Sequence, residues 1–138
     1  MGLFQKKTEE RELLPLASLE YRTGDGRHWG FHYRLFRERE STVLNFSRVM
    51  PEQLQRIAVP ETVWEKVTDI LKKYDVIAWD GFDRCRLNHG RTKRWLLYLT
   101  FVDGSDLRAE GCGAYPKNHE AAEDELLLLL NSLIDPEI

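Results

Sequence analysis

The sequence predicts an α+β fold: a mostly antiparallel sheet in the order β-β-β-α-β-β-α, with two helices packed on one face. Three observations carry this. Apolar and aromatic runs with a two-residue alternation are separated by turn residues, not by helices, so neighbouring strands pair antiparallel. Val63, Trp64, Val67, Ile70, Leu71 and Tyr74 recur at helical spacing, with Glu65, Lys66, Asp69, Lys72 and Lys73 on the opposite face. A Leu-rich stretch with an acidic start, Glu120, Glu123, Asp124 and Glu125 before Leu126, closes the chain as a second helix.

Each element follows from local chemistry. Residues 1–12 are charged and aperiodic and read as a tail; residues 13–138 read as a single domain. A short β-leaning run at 16–21 precedes the turn residues Gly24-Asp25-Gly26. Over 29–36 the alternation places Trp29, Phe31, Tyr33 and Leu35 on one face, as a core requires, and Gly30, His32 and Arg34 on the other. After the solvated turn Arg37-Glu38-Arg39-Glu40, the β pattern resumes over 42–49. Pro51 and Pro60 bracket a connecting segment with room for one helical turn, and Pro60 suits the first position of the next helix.

Beyond that helix, residues 76–79 lead into a polar loop, 80–93. Residues 95–102 read as a strand. Asp103-Gly104 is the strongest turn pattern in the chain and predicts a two-residue hairpin turn, with 105–110 as the return strand. Residues 111–116 break the pattern, Asn118 is placed to cap the last helix, and Asp135-Pro136 ends it.

A chain of 138 residues is long enough to bury a core without disulfide or metal. Charge is uneven: residues 1–94 carry 18 basic and 14 acidic side chains, residues 95–138 carry 2 basic and 9 acidic. That balance argues against nucleic acid as a partner. The longest apolar run, residues 126–130, is too short to span a bilayer, so no membrane partner is expected. Two cysteines, Cys85 and Cys112, do not make a disulfide framework, and with no secretory leader at the start a reducing, cytoplasmic setting is expected.

The chemistry-bearing residues form no strong motif. Cys85, His89, Cys112, His119 and Glu123 are metal-ligand types without metal-ligand spacing, so no metal and no cofactor is predicted. Cys85 lies between Arg84 and Arg86, which favours a thiolate, and Cys112 lies between glycines; neither has a base beside it in the sequence, and no catalytic residue is assigned. The loop 80–94 is rich in cations. Arg84, Arg86, His89 and Arg91, with Tyr115 from the 111–118 turn, are the residues that would grip an anion. Five consecutive leucines occupy most of a helix circumference. Some must enter a thick core or meet a partner, and Leu127, Leu128 and Leu130 are the residues a homodimer would use.

Trp79-Asp80-Gly81-Phe82, the Trp95-to-Gly104 strand and turn, and Gly111 through Tyr115-Pro116-Lys117-Asn118 together resemble a group of small proteins of Gram-positive and gut bacteria. There a Trp-containing strand, an Asp-Gly turn and a Gly…Tyr-Pro-x-Asn stretch lead into a terminal helix. The resemblance covers residues 76–134 and implies a bacterial origin and an α+β fold. It implies no activity. The reading that follows is a non-enzymatic binding or interaction module of a bacterial cytoplasm, its partner another protein or itself. The alternative is a small-ligand (anion) binder or enzyme using the 80–94 loop and the 111–118 turn.

Overall fold

Alternation in the β-leaning runs becomes a seven-stranded sheet. The computed structural model describes residues 12–25, 29–86 and 93–136; the expected N-terminal tail lies outside these except for Glu12. Strands β1 (Leu16–Gly24), β2 (Trp29–Glu38), β3 (Ser41–Ser47) and β4 (Gln55–Val59) are followed by α1 (Val63–Lys73) and a 3₁₀ turn at Val76–Trp79. Then come β5 (Asp83–Cys85), β6 (Arg94–Phe101), β7 (Asp106–Cys112) and α2 (His119–Ile134). The strands lie in the order β4-β3-β2-β1-β6-β7-β5. All neighbours are antiparallel except β5, which runs parallel to β7. The α+β architecture is therefore as the sequence predicts.

Both helices cover the same face. Thr42 on β3, Tyr33 on β2 and Tyr21 on β1 share the face of Leu35, Leu44 and Leu97 by strand register. Trp64 of α1 donates its indole N–H to Thr42 Oγ1 (2.8 Å), while Tyr33 donates to Asn131 Oδ1 (3.0 Å) and Tyr21 to Glu123, both on α2. Leu19, Leu35, Leu44, Val67, Leu97, Leu99, Leu107 and Leu130 form the centre of the core. The opposite face carries polar pairs: Ser18 and Thr100 share a hydroxyl hydrogen bond, and His32 bridges Glu20 and Glu52.

Four local expectations are corrected. The segment between the prolines is not a helical turn but the edge strand β4, antiparallel to β3, with only Ile57 and Val59 half-buried. Its alternation is too weak to stand out, because an edge strand buries little. The 80–93 loop contains β5, a strand too short for any periodicity. The Asp103-Gly104 hairpin is real but one residue longer: Phe101 N–H bonds Ser105 O and Gly104 N–H bonds Phe101 O, so Val102, Asp103 and Gly104 form a three-residue loop with Gly104 at φ 91°.

Finally, Trp29 does not join the core face of Tyr33 and Leu35. A register shift pairs Thr23 with Phe31 but Gly24 with Trp29, so Trp29 moves to the other face. There Arg94 and Arg22 lie over its ring, 4.3 and 5.3 Å from the centroid. Phe31 keeps its parity but is exposed.

The leucine run divides by position around α2. Leu126 and Leu130 are buried, Leu127, Leu129, Leu133 and Ile134 pack against the core half-buried, and Leu128 is 73% exposed. Leu130, expected in a dimer surface, is instead wholly inside the chain's own core. The sheet, α1 and the 3₁₀ turn together make that core thick enough to take most of the run.

Candidate functional site

The first two turns of α2 carry two buried ionisable side chains, His119 and Glu123. His119 is placed there by the 113–118 turn, in which Gly113 (φ 69°) and Asn118 (φ 70°) adopt left-handed backbone. Asn118 precedes the helix as expected, but its side chain does not cap it; the amide donates to Tyr74 O at the end of α1 (3.2 Å) and ties the two helices together. Trp79 anchors the same turn by donating to Lys117 O (3.0 Å), and Trp95 by donating to Ala114 O (2.9 Å). Gly111 is required beneath it: a Cβ there would lie 2.6 Å from Ala114 O and 2.8 Å from Trp95 Nε1.

His119 lies among four rings. Trp79 stacks on it at 5.4 Å, Trp95 is 4.5 Å away, Tyr115 5.0 Å and Tyr21 6.5 Å. This burial removes water from the imidazole and lowers its pKa to about 4, against the opposing pull of Glu123. The ring is therefore neutral at pH 7. Tyr21 donates its single proton to Glu123 Oε2 (2.5 Å), so its oxygen can only accept from His119 Nε2 (3.2 Å). This fixes the tautomer with the proton on Nε2. Burial first, and then the Glu123 charge, push the Tyr21 phenol far up, so it remains a donor. Glu123, one turn along from His119 and buried, receives a second bond at Oε1 from Lys93 Nζ (2.7 Å).

Outside this network opens a cleft of about 670 Å³, lined by Lys93, Tyr115, Pro116, Asn118, His119, Glu120, Ala121, Glu123 and Asp124. Tyr115, 45% exposed, forms part of its wall, and Glu120 and Asp124, one helical turn apart, are exposed along its rim. A second cavity of about 210 Å³ lies toward the end of the sheet, lined by Trp29, Asp83, Arg84, Cys85, Arg94, Trp95, Glu110, Gly111 and Cys112.

The residues singled out in the sequence separate between these two places. Tyr115 lines the larger cleft and Arg84 the smaller. Arg84 lies over the Phe82 ring (5.6 Å), and Arg86 is exposed, its backbone N–H bonded to Cys112 O. His89 and Arg91 lie outside the described residues. Cys85 and Cys112 are not separate thiols: β5 and β7 set them side by side and a disulfide joins them. Among the described residues, no group of three or more His, Cys, Asp or Glu could hold a metal ion.

Sequence reasoning missed the Tyr21–Glu123–Lys93 network because its members come from β1, α2 and the approach to β6. The one local trace was the four-residue spacing of His119 and Glu123. No known family model, curated protein or solved structure matches the chain.

Proposed function

We propose that the protein is a non-enzymatic binding module whose ligand-facing surface is the Tyr115 cleft, and that the ligand is a cationic segment of a protein partner. One observation carries the reading: the buried polar groups at and beneath the floor of the cleft are committed to one another, while Tyr115, Glu120 and Asp124 at its rim are exposed. Tyr21, His119, Glu123 and Lys93 are each held by another member of the set. Such mutual satisfaction is what a buried polar network needs to be stable, and it leaves none of them poised for a substrate.

The rim supplies the recognition. Lys93 is half-exposed but ion-paired with the buried Glu123, and the exposed Glu120 and Asp124 leave the wall with an excess of negative charge. Tyr115 offers an aromatic face to a lysine or arginine side chain. The start of a helix alone would favour an anion, but Glu120 and Glu123 already stand there. The resemblance of residues 76–134 to small bacterial proteins supports a bacterial origin. A second copy of the chain is a weaker partner, because Leu128 is the exposed member of the leucine run.

Titration of the labelled protein with a lysine-rich peptide and a glutamate-rich peptide of equal length, followed by amide chemical shifts, tests this reading against the anion-binding alternative. The lysine-rich peptide is expected to move Tyr115, Glu120 and Asp124, and Tyr115→Ala to weaken the response. Shifts confined to Arg84 and Arg86 with the acidic peptide would replace this reading with the anion-binding one.

A further inference from the structure

We propose that Cys85 and Cys112 form a reversible thiol–disulfide site that clamps the edge strand β5 onto β7. The two residues are 27 apart in sequence, their Cα atoms are 4.5 Å apart, and they are direct partners in the parallel β5–β7 register. The position of the bridge argues against a role in holding the domain together. The core lies between the sheet and the two helices and contains neither cysteine. The bridge instead lies at the last strand of the sheet, with Cys85 exposed and Cys112 half-buried, where a thiol can approach. A single cystine at the margin of a domain with its own core differs from the disulfide-dense frameworks that substitute for a core.

What it does hold is β5. That strand has three residues, and its pairing with β7 ends at the bridge. Beyond it, Arg86 N–H bonds Cys112 O (2.6 Å) and Gly113 N–H bonds Lys93 O (2.9 Å), so both ends of the 86–93 connection are tied to consecutive residues of one strand end. Lys93 has a second anchor in Glu123, whereas the Arg86 end depends on β5. The start of β5 is held apart from the bridge, by Gly81 N–H to Arg108 O and Glu110 N–H to Phe82 O (2.9 Å each), so loss of the bridge releases its Cys85–Arg86 end and leaves the β6–β7 ladder in place. The surroundings suit exchange. Arg94 is the β6 partner of Cys112, and Arg84 and Arg86 flank Cys85, with Asp83 and Glu110 next along the two strands. A cationic setting favours the thiolate, the form that attacks and leaves in thiol–disulfide exchange.

The step balances with a dithiol reductant. A thiolate of the reductant attacks Cys85 Sγ, the Sγ–Sγ bond breaks, and Cys112 leaves as a thiolate that takes up a proton. The reductant's second thiol, as its thiolate, then attacks its own sulfur in the mixed disulfide. Cys85 is released as a thiolate and protonated, and the reductant, having given two electrons, becomes a cyclic disulfide.

The test equilibrates the full chain in dithiothreitol and glutathione buffers of graded poise. Alkylation followed by mass spectrometry counts free thiols, and hydrogen exchange reads the Arg86 amide. The expected result is passage from no free thiols to two between the poises of the glutathione and thioredoxin couples, with unchanged far-UV circular dichroism. Exchange at Arg86 should rise by roughly tenfold or more while Leu97 and Leu99 stay protected. A Cys85→Ser, Cys112→Ser variant should show the fast Arg86 exchange in every buffer. A bridge that yields only when the chain unfolds, or that fails to form in oxidising buffer, overturns the proposal. Arg86 exchange equal in both redox states overturns the clamp.

Discussion

Tyr21 shows how a single hydroxyl organises the centre of the molecule. Its proton goes to Glu123 and its oxygen takes the His119 proton, so one atom orients both side chains. Tyr21→Phe keeps the ring in its slot and removes that atom. His119 Nε2 loses its acceptor, and Glu123 is left with Lys93 alone. Stability is expected to fall by about 1–3 kcal/mol, the usual result of leaving buried polar groups unsatisfied. Chemical denaturation measures this directly, and an unchanged midpoint would show that the network contributes nothing to the fold. In the sequence Tyr21 stands only as the end of a β-leaning run. Its polar role was not legible there, because its partners are 98 and 102 residues away.

Among the elements, α2 separates hydrophobicity from burial most clearly. Leu128 and Leu130 are chemically identical and two residues apart, yet one is 73% exposed and the other 0%. Leu130→Ala should cost about 2–5 kcal/mol by opening a cavity in a packed core. Leu128→Ala should change stability by no more than about 0.5 kcal/mol, as expected of a surface position. The pair of denaturation curves checks the division, and equal losses would contradict the orientation of the helix. The helical period made α1 legible, because its polar and apolar faces are distinct. It could not orient α2, where five leucines in succession leave the period without contrast. The strands differ in the same way. β6 and the hairpin were legible from alternation and Asp-Gly, whereas β4 and β5, edge strands with little burial, left no pattern to read.

The pH response is a property of the whole molecule, because its two described histidines act in opposite senses. His119 is held neutral by burial, with its folded pKa at about 4, below the unfolded 6.5. The unfolded chain therefore binds the proton first as pH falls. The stability that depends on His119 is complete above pH 6.5 and is lost between there and about 4, by an amount on the order of 3 kcal/mol. His32 is raised, chiefly by its bond to Glu20 and, against some desolvation, by Glu52. Its contribution is complete below pH 6.5 and is lost as pH rises through the folded value. Glu20, lowered mainly by His32, adds a further loss on the acid side. Denaturation midpoints measured across pH should peak near neutrality and fall on the acid side. A flat acid limb would show that His119 is not held neutral.

The α+β class, the antiparallel pairing of successive strands, both helices and the place of the Asp103-Gly104 turn were all legible in the chain, because each rests on periodicity or turn chemistry within a few residues. The sequence named Arg84, Arg86, His89, Arg91 and Tyr115 as an anion grip, and set His119, Glu123 and the two cysteines aside as ligand types without ligand spacing. How they combine depends on pairings between distant parts of the chain. A one-residue register shift at Gly24 took Trp29 out of the core and set it beneath Arg94. The parallel pairing of a three-residue strand joined Cys85 to Cys112 and placed Arg84 in a different cavity from Tyr115. Register and edge pairing are long-range choices, set by which apolar faces the whole sheet can bury at once, and no local window of the chain contains that information.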